Sequence, residues 1–183
     1  MGSAKDERRS EARTGDVVSE AATLSANIIR ADYDDPKHAA DIVTVLRSYA
    51  MDPMGGGEDL SAETQAALVP GLRATPAASS LLAYIGEEAV GLANLMTTFS
   101  SFGGKPLINI HDIAVSKAHR GTGIGRQLFD EIHGIAQEIG ACKVTLEVLE
   151  GNAPARALYA SLGYGDYVLD PEMGKAMFWQ KRL

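Results

Sequence analysis

The chain has 183 residues and a net charge of −7, from 17 Lys+Arg against 24 Asp+Glu, and that length suits one compact domain with a real core. Its 45% hydrophobic content argues against a wholly disordered chain, and no apolar run approaches the roughly 20 residues that span a bilayer, so no membrane partner is expected. One cysteine, Cys142, leaves no internal disulfide or multi-cysteine zinc site, and the acidic balance speaks against broad nucleic-acid binding, so neither metal nor nucleic acid is expected.

Residues 1–24 are polar and charge-mixed. They read as a flexible arm ahead of a domain over residues 25–183, and they lack the apolar stretch of a signal peptide, so a cytoplasmic location is expected. Asn27 to Arg30 reads as a first strand. Asp35-Pro36 joins a helix cap to proline at the first helical position, and Ile42, Val45, Leu46 and Tyr49 continue that helix at near-helical spacing. Asp52 to Gly57 stops it. A second helix starts at Ser61-Ala62-Glu63-Thr64 and is expected to end before Gly71.

Ser80 to Ile85 and Ala89 to Thr98 read as strands joined by a hairpin turn at Gly86-Glu87-Glu88. Leu107 to Val115 is a further, strongly apolar strand. Thr122 to Ile139 reads as a helix with Ile124, Leu128, Ile132, Ile135 and Ile139 on one face. Lys143 to Leu149 alternates as a strand does. Asn152 caps a short helix through Leu158 and Leu162 that Gly163 closes. Tyr164 to Val168 and Lys175 to Lys181 read as final strands, with Phe178 and Trp179 packed on the sheet. The order is β-α-α-β-β-β-α-β-α-β-β: an α/β fold with a mixed central sheet and a parallel crossover between Leu107 and Leu149.

The informative stretch is Ile113 to Phe129, which holds no acid in an acidic chain yet carries Lys117, His119, Arg120 and Arg126. Within it, Arg120-Gly121-Thr122-Gly123-Ile124-Gly125 leads from a strand into an amphipathic helix. The first N–H groups of a helix lack intrahelical partners and sit at the positive end of its dipole. Glycines let an anion approach the backbone, so a phosphate or pyrophosphate is the natural ligand. A P-loop would need four residues between its glycines and then Gly-Lys-Ser/Thr, and a dinucleotide fingerprint would need its third glycine one residue later. The bland alternative is a glycine-rich helix start with solvated arginines.

These residues resemble the Gcn5-related N-acetyltransferase (GNAT) superfamily. Arg120 to Gly125 matches its Q/R-x-x-G-x-G/A signature, placed after the strand ending Asp112-Ile113-Ala114-Val115. Asn152, Ala155, Leu158-Tyr159 and Gly163-Tyr164 match its second motif. The resemblance implies a single acetyltransferase domain with two splayed parallel strands, Leu107–Val115 and Lys143–Leu149, flanked by helices. It implies acetyl-CoA in the gap, used as co-substrate without a metal. Backbone groups from Arg120, Gly121, Thr122, Gly123, Ile124, Gly125 and Arg126 would hold the pyrophosphate. Ile113, Ala114 and Val115 would pair with the pantetheine arm, and the Val115 N–H would polarise the thioester carbonyl. Tyr159 matches the family's acid for the departing thiolate. Asn152 caps the last helix and is a second candidate contact to pantetheine.

The base is open between His111 and Asp112. Strict alternation groups His111 with Asn109 and Ile113, and Asp112 with Ile108, Ile110 and Ala114; a bulge would change that phase. Imidazole is the side chain that titrates near neutrality. Asp112 is a candidate base or a ligand for a cationic acceptor, and each also has a purely structural reading. The loop from Met54 to Asp59 fits a mobile lid whose Glu58 and Asp59 attract a cation. Cys142 reads as a small buried residue, and His38, His119 and His133 as surface residues. The expected activity is acetyl transfer from acetyl-CoA to a primary amine of a small molecule, without an acyl-enzyme. A non-catalytic CoA-binding module and a protein or peptide acetyltransferase remain as alternatives. Dimers are common in the family, so the resemblance leaves a homodimer open.

Overall fold

A computed structural model of the chain describes residues 23–182. The expected flexible arm lies outside the described residues except for its last two positions. A five-stranded sheet runs in chain order: β1 (Asn27–Arg30), β2 (Ala78–Ile85), β3 (Glu88–Ser100), β4 (Lys105–Val115) and β5 (Val144–Leu146). The first four strands are antiparallel to their neighbours and β5 lies parallel to β4, so the sheet is mixed as expected.

Two helices cover one face. α1 (Pro36–Ala50) starts on Asp35, whose carboxylate accepts from the N–H groups of Lys37 and His38. It buries Ile42 and Val45 against Leu82, Tyr84 and Leu92 of the sheet. α2 (Ala62–Ala74) is capped by Ser61 and runs through Pro70 and Gly71, past its expected end. Pro70 removes one helical hydrogen bond on an exposed face, where water can satisfy the freed carbonyl, while Val69 and Leu72 are buried and hold the turn in place.

The other face is covered by α3 (Ile124–Glu138) and α4 (Ala153–Ser161). Ile124, Leu128, Phe129 and Ile132 of α3 are fully buried against Leu81, Ala83, Leu95, Ile108 and Ile110. Leu158, Tyr159 and Leu162 pack on the same cluster, so α4 closes over α3 and the end of the sheet.

The chain's end departs from expectation. Tyr164–Val168 and Lys175–Lys181 form no strands, and a single backbone bond, Ala176 N–H to the Tyr167 carbonyl, links the two segments. A sequence rich in aromatic and apolar residues makes a strand only where an edge offers a ladder. β5 contributes three residues, too few to template two more strands. Phe178 and Trp179 are therefore 78% and 80% exposed, not packed on the sheet. Cys142 is likewise exposed, not buried.

This division of the core sets a stability contrast. Phe129→Ala should lower the unfolding free energy by about 3–5 kcal/mol, whereas Phe178→Ala should change it by less than about 0.5 kcal/mol. Urea unfolding followed by circular dichroism measures both.

Candidate active site

The turn from β4 to α3 is built for an uncapped helix start. Gly121 and Gly123 sit at φ +78° and +87°, in the left-handed region that side chains resist. Gly123 is the cap position of α3 and brings no side-chain acceptor, whereas Asp35, Ser61 and Asn152 cap the other three helices. Among the described residues no side chain caps the first-turn amides of α3, which is the arrangement that suits an external anion. Nearby side chains are committed elsewhere. The Thr122 hydroxyl donates to the His119 carbonyl at 2.6 Å, and Arg126 donates to Ser161 Oγ at 2.6 Å. Ile124 is buried, so it offers backbone alone. A Cβ on Gly125 would press on Leu158 at 3.1 Å; this glycine lets α4 close on α3. Asn152 accepts from the Ala155 N–H at 3.3 Å, the capping role.

Arg120 reaches both ways. Its Nε donates to the Val115 carbonyl at 3.1 Å and its Nη1 to Asp52 at 2.8 Å. Asp52 itself accepts from the Met54 N–H, which with Arg120 holds its carboxyl below the usual carboxylate range. The cradle is acid-free along the sequence but not in space. Asp52 is a residue that sequence reading missed, because 68 positions separate it from Arg120.

Beside this turn the sheet opens. β4 and β5 pair at Ile108–Val144, Asn109–Thr145 and Ile110–Leu146, and there the pairing ends, while β4 runs on to Val115. The ladder with β3 fixes which amides face the opening. The Ser116 N–H bonds to the Val90 carbonyl, so Ala114 opposite Leu92 is the next hydrogen-bonded pair. Ile113 and Val115 therefore point their N–H groups away from β3, into the gap that β5 has left. Of the three expected pantetheine partners, Ile113 and Val115 present their amides there. Ala114 does not, because its backbone serves the β3 ladder.

A bulge makes this phase. The register shifts between Asn94–Asp112 and Leu95–Ile110, leaving His111 as the extra residue. Ahead of it, Ile108 and Ile110 face α3; after it, Ile113 and Val115 do. Strict alternation would have placed Asp112 on the α3 side. The bulge turns it to the face of α1 and α2, where Asp112 and His111 line one pocket of about 590 Å³ with Glu63, Leu68 and Met96. Among the described residues no lysine or arginine lines this pocket. Asn94 Nδ2 donates to Asp112 at 2.9 Å.

Tyr159 lies on α4, its ring edge-on to Phe129 at 5.3 Å. Burial, then the neighbouring Tyr49, pushes its phenol up to about 12. Tyr49 is raised by burial and then by the charges of Asp112 and Asp52, so it stands electrically between the pocket carboxylate and Tyr159. Its place in the α1 stripe was legible, but its position between those two groups was not. Behind Tyr159, His133 Nε2 and the Tyr164 hydroxyl lie 2.9 Å apart with stacked rings, so His133 is a packed residue and not a surface one. The loop after α1 is a folded turn: Gly57 N–H bonds to the Ala50 and Asp52 carbonyls, and Asp59 is held by Arg47 at 2.6 Å. That pairing engages the charge expected to attract a cation.

The model of the acetyltransferase (GNAT) family matches residues 43–164. The chain belongs to this family. It is 43% identical over 63 residues to streptothricin acetyltransferase of Streptomyces lavendulae, covering 34% of this chain and 33% of that protein. It is 32% identical over 81 residues to the thialysine N-ε-acetyltransferase of Bos taurus, covering 44% and 47%. The matches thus span about half or less of these curated relatives. An aminoglycoside acetyltransferase from an uncultured soil metagenomic sample superposes with a TM-score of 0.69 at 17% identity, over 86% of this chain and 97% of that one, and so shares the fold.

Tyr84, Tyr159 and Tyr164 are each raised from 10 to about 12, chiefly by burial. Between those values the unfolded chain loses phenolic protons that the native state keeps, so unfolding releases protons and stability falls as pH rises. Urea midpoints measured from about pH 9 to about pH 12 should drop steadily above pH 10, and less steeply in Tyr159→Phe.

Proposed function

We propose that the protein transfers an acetyl group from acetyl-CoA to a primary amine of a small molecule by direct attack, without an acyl-enzyme. One observation carries this reading. β4 separates two sites of opposite polarity: an uncapped helix start with free strand amides on one side, and on the other a pocket with Glu63 and Asp112 but, among the described residues, no lysine or arginine. An anionic carrier fits the first and a cationic amine the second. The residues present suit the carrier, because the first turn of α3 can take its diphosphate and the Ile113 and Val115 amides can pair with its amide-bearing arm. Acetyl-CoA supplies the activated acetyl group when bound.

The chain's own residues then divide the work. The Val115 N–H donates to the thioester carbonyl as negative charge develops there. Asp112 holds the acceptor's ammonium, and His111, the exposed neighbour in the same pocket, takes its excess proton. Tyr159 donates a hydrogen bond to the sulfur as the C–S bond breaks. The N–C bond forms, and one amine proton ends on the thiol. The relatives named for streptothricin and thialysine acetylation support a small amine as acceptor.

Calorimetry should show acetyl-CoA binding at sub-millimolar concentration, and the absence of binding would sink this reading. Tyr159→Phe should lower kcat by roughly 10–100-fold while leaving acetyl-CoA binding nearly unchanged. Unaltered turnover in a thiol-release assay would remove Tyr159 from the mechanism.

A further inference from the structure

Ser80 and Asn94 are each only 1% exposed, in mid-strand positions flanked by Leu81, Leu82, Ala93 and Leu95. Buried polar side chains in such a core are costly unless fully paired, and apolar residues would serve the fold at least as well. Their bonds form a line. The Tyr33 hydroxyl and Ser80 Oγ are 2.9 Å apart, Ser80 Oγ donates to Asn94 Oδ1 at 2.6 Å, and Asn94 Nδ2 donates to Asp112 Oδ2 at 2.9 Å.

The direction of the line follows from valence. An amide oxygen only accepts, so Ser80 spends its single proton on Asn94, and Tyr33 must donate to Ser80. Every donor points toward the Asp112 carboxylate, and the chain ends on its charge. The far end is itself held, because Arg73 of α2 donates to the Tyr33 carbonyl and pairs with Asp34 at 3.1 Å. With Oδ2 held by Asn94, the pocket-facing carboxylate keeps Oδ1 for an incoming ligand.

The geometry points to Tyr33, Ser80 and Asn94 as positioning residues, a polarised relay that fixes the Asp112 carboxylate and thereby sets affinity for the amine acceptor. This rests on the role given to Asp112 above. Asn94 is the member that touches Asp112; Ser80 and Tyr33 act through it. The relay leaves the cradle on the other side of β4 alone, so it governs one substrate and not the other.

The test is a kinetic double-mutant cycle on the full chain with an amine found by acceptor screening. Asn94→Ala should raise the acceptor KM about 5–20-fold, the loss expected for one hydrogen bond to a charged group, and leave the KM for acetyl-CoA within about twofold. Tyr33→Phe, which removes the remote hydroxyl alone, should move the acceptor KM the same way by a smaller factor. In an Asp112→Asn background the Asn94→Ala change should add almost nothing. Multiplying effects in the double variant, or an acceptor KM untouched by Asn94→Ala, would overturn the relay. The ligand-free protein gives a second readout: the side-chain amide signals of Asn94 should shift in Asp112→Asn and in Ser80→Ala, and signals that stay put in both would also overturn it. A normal acceptor KM in Asp112→Asn alone would instead withdraw the role of Asp112 in the proposed function, and the relay's purpose with it. Calorimetric binding of acetyl-CoA separates either failure from loss of the fold.

Discussion

One extra residue in β4 organises the two sites. With His111 bulged out of the ladder, the strand advances by one phase halfway along its length. Two consequences follow from the same shift. The amides of Ile113 and Val115 turn toward the side where β5 has separated, and the Asp112 side chain turns toward α1 and α2. Without the bulge, Asp112 would be driven into the apolar cluster under α3, where a carboxylate without partners is expensive. The pocket carboxylate and the free amides are therefore not independent features. They share one cause, and it lies in the backbone.

The second constraint is the separation of charge across that strand. A helix start without a side-chain cap and a pocket lined by carboxylates would neutralise each other, and each would repel the other's ligand, if they were open to one another at close range. β4 and its neighbours lie between them. The link that does cross is Arg120, which grips the Val115 carbonyl at the end of β4 and Asp52 in the loop after α1. It ties the loop between α1 and α2 to the end of β4 and the turn that begins α3. The glycines near this turn serve different ends. Gly121 and Gly123 permit the left-handed backbone that exposes the amides, whereas Gly125 gives α4 room to pack.

Much of this was legible in the sequence, and for local reasons. Asp35-Pro36, Ser61 and Asn152 are caps whose effect depends on the next few residues, so α1, α2 and α4 begin where they should. Helical periodicity placed α3, and the glycine turn ahead of it is a local motif. The parts that were not legible depend on partners distant in the chain. Asp52 meets Arg120 only through the fold. The phase of Asp112 depends on a register that β3 imposes. The relay through Ser80 and Asn94 joins three strands, and no local pattern in any one of them announces the partners in the other two. The final strands failed for the opposite reason: the apolar run from Ala176 to Trp179 is real, but β5 offers too short an edge to receive it.

The environment of Tyr159 limits how it can act. Burial among Phe129, Tyr164 and the α3 core keeps the phenol protonated at any physiological pH, which is what a donor needs. The same burial makes it a weak acid. A phenol at about 12 gives up its proton less readily than a thiol near 8.5, by roughly three pH units. Complete transfer from Tyr159 to a departing thiolate would run uphill, so a lasting tyrosinate is not a reasonable resting product. In the proposed reaction the consistent arrangement is a hydrogen bond that strengthens as charge gathers on sulfur, with the amine's own proton as the eventual source.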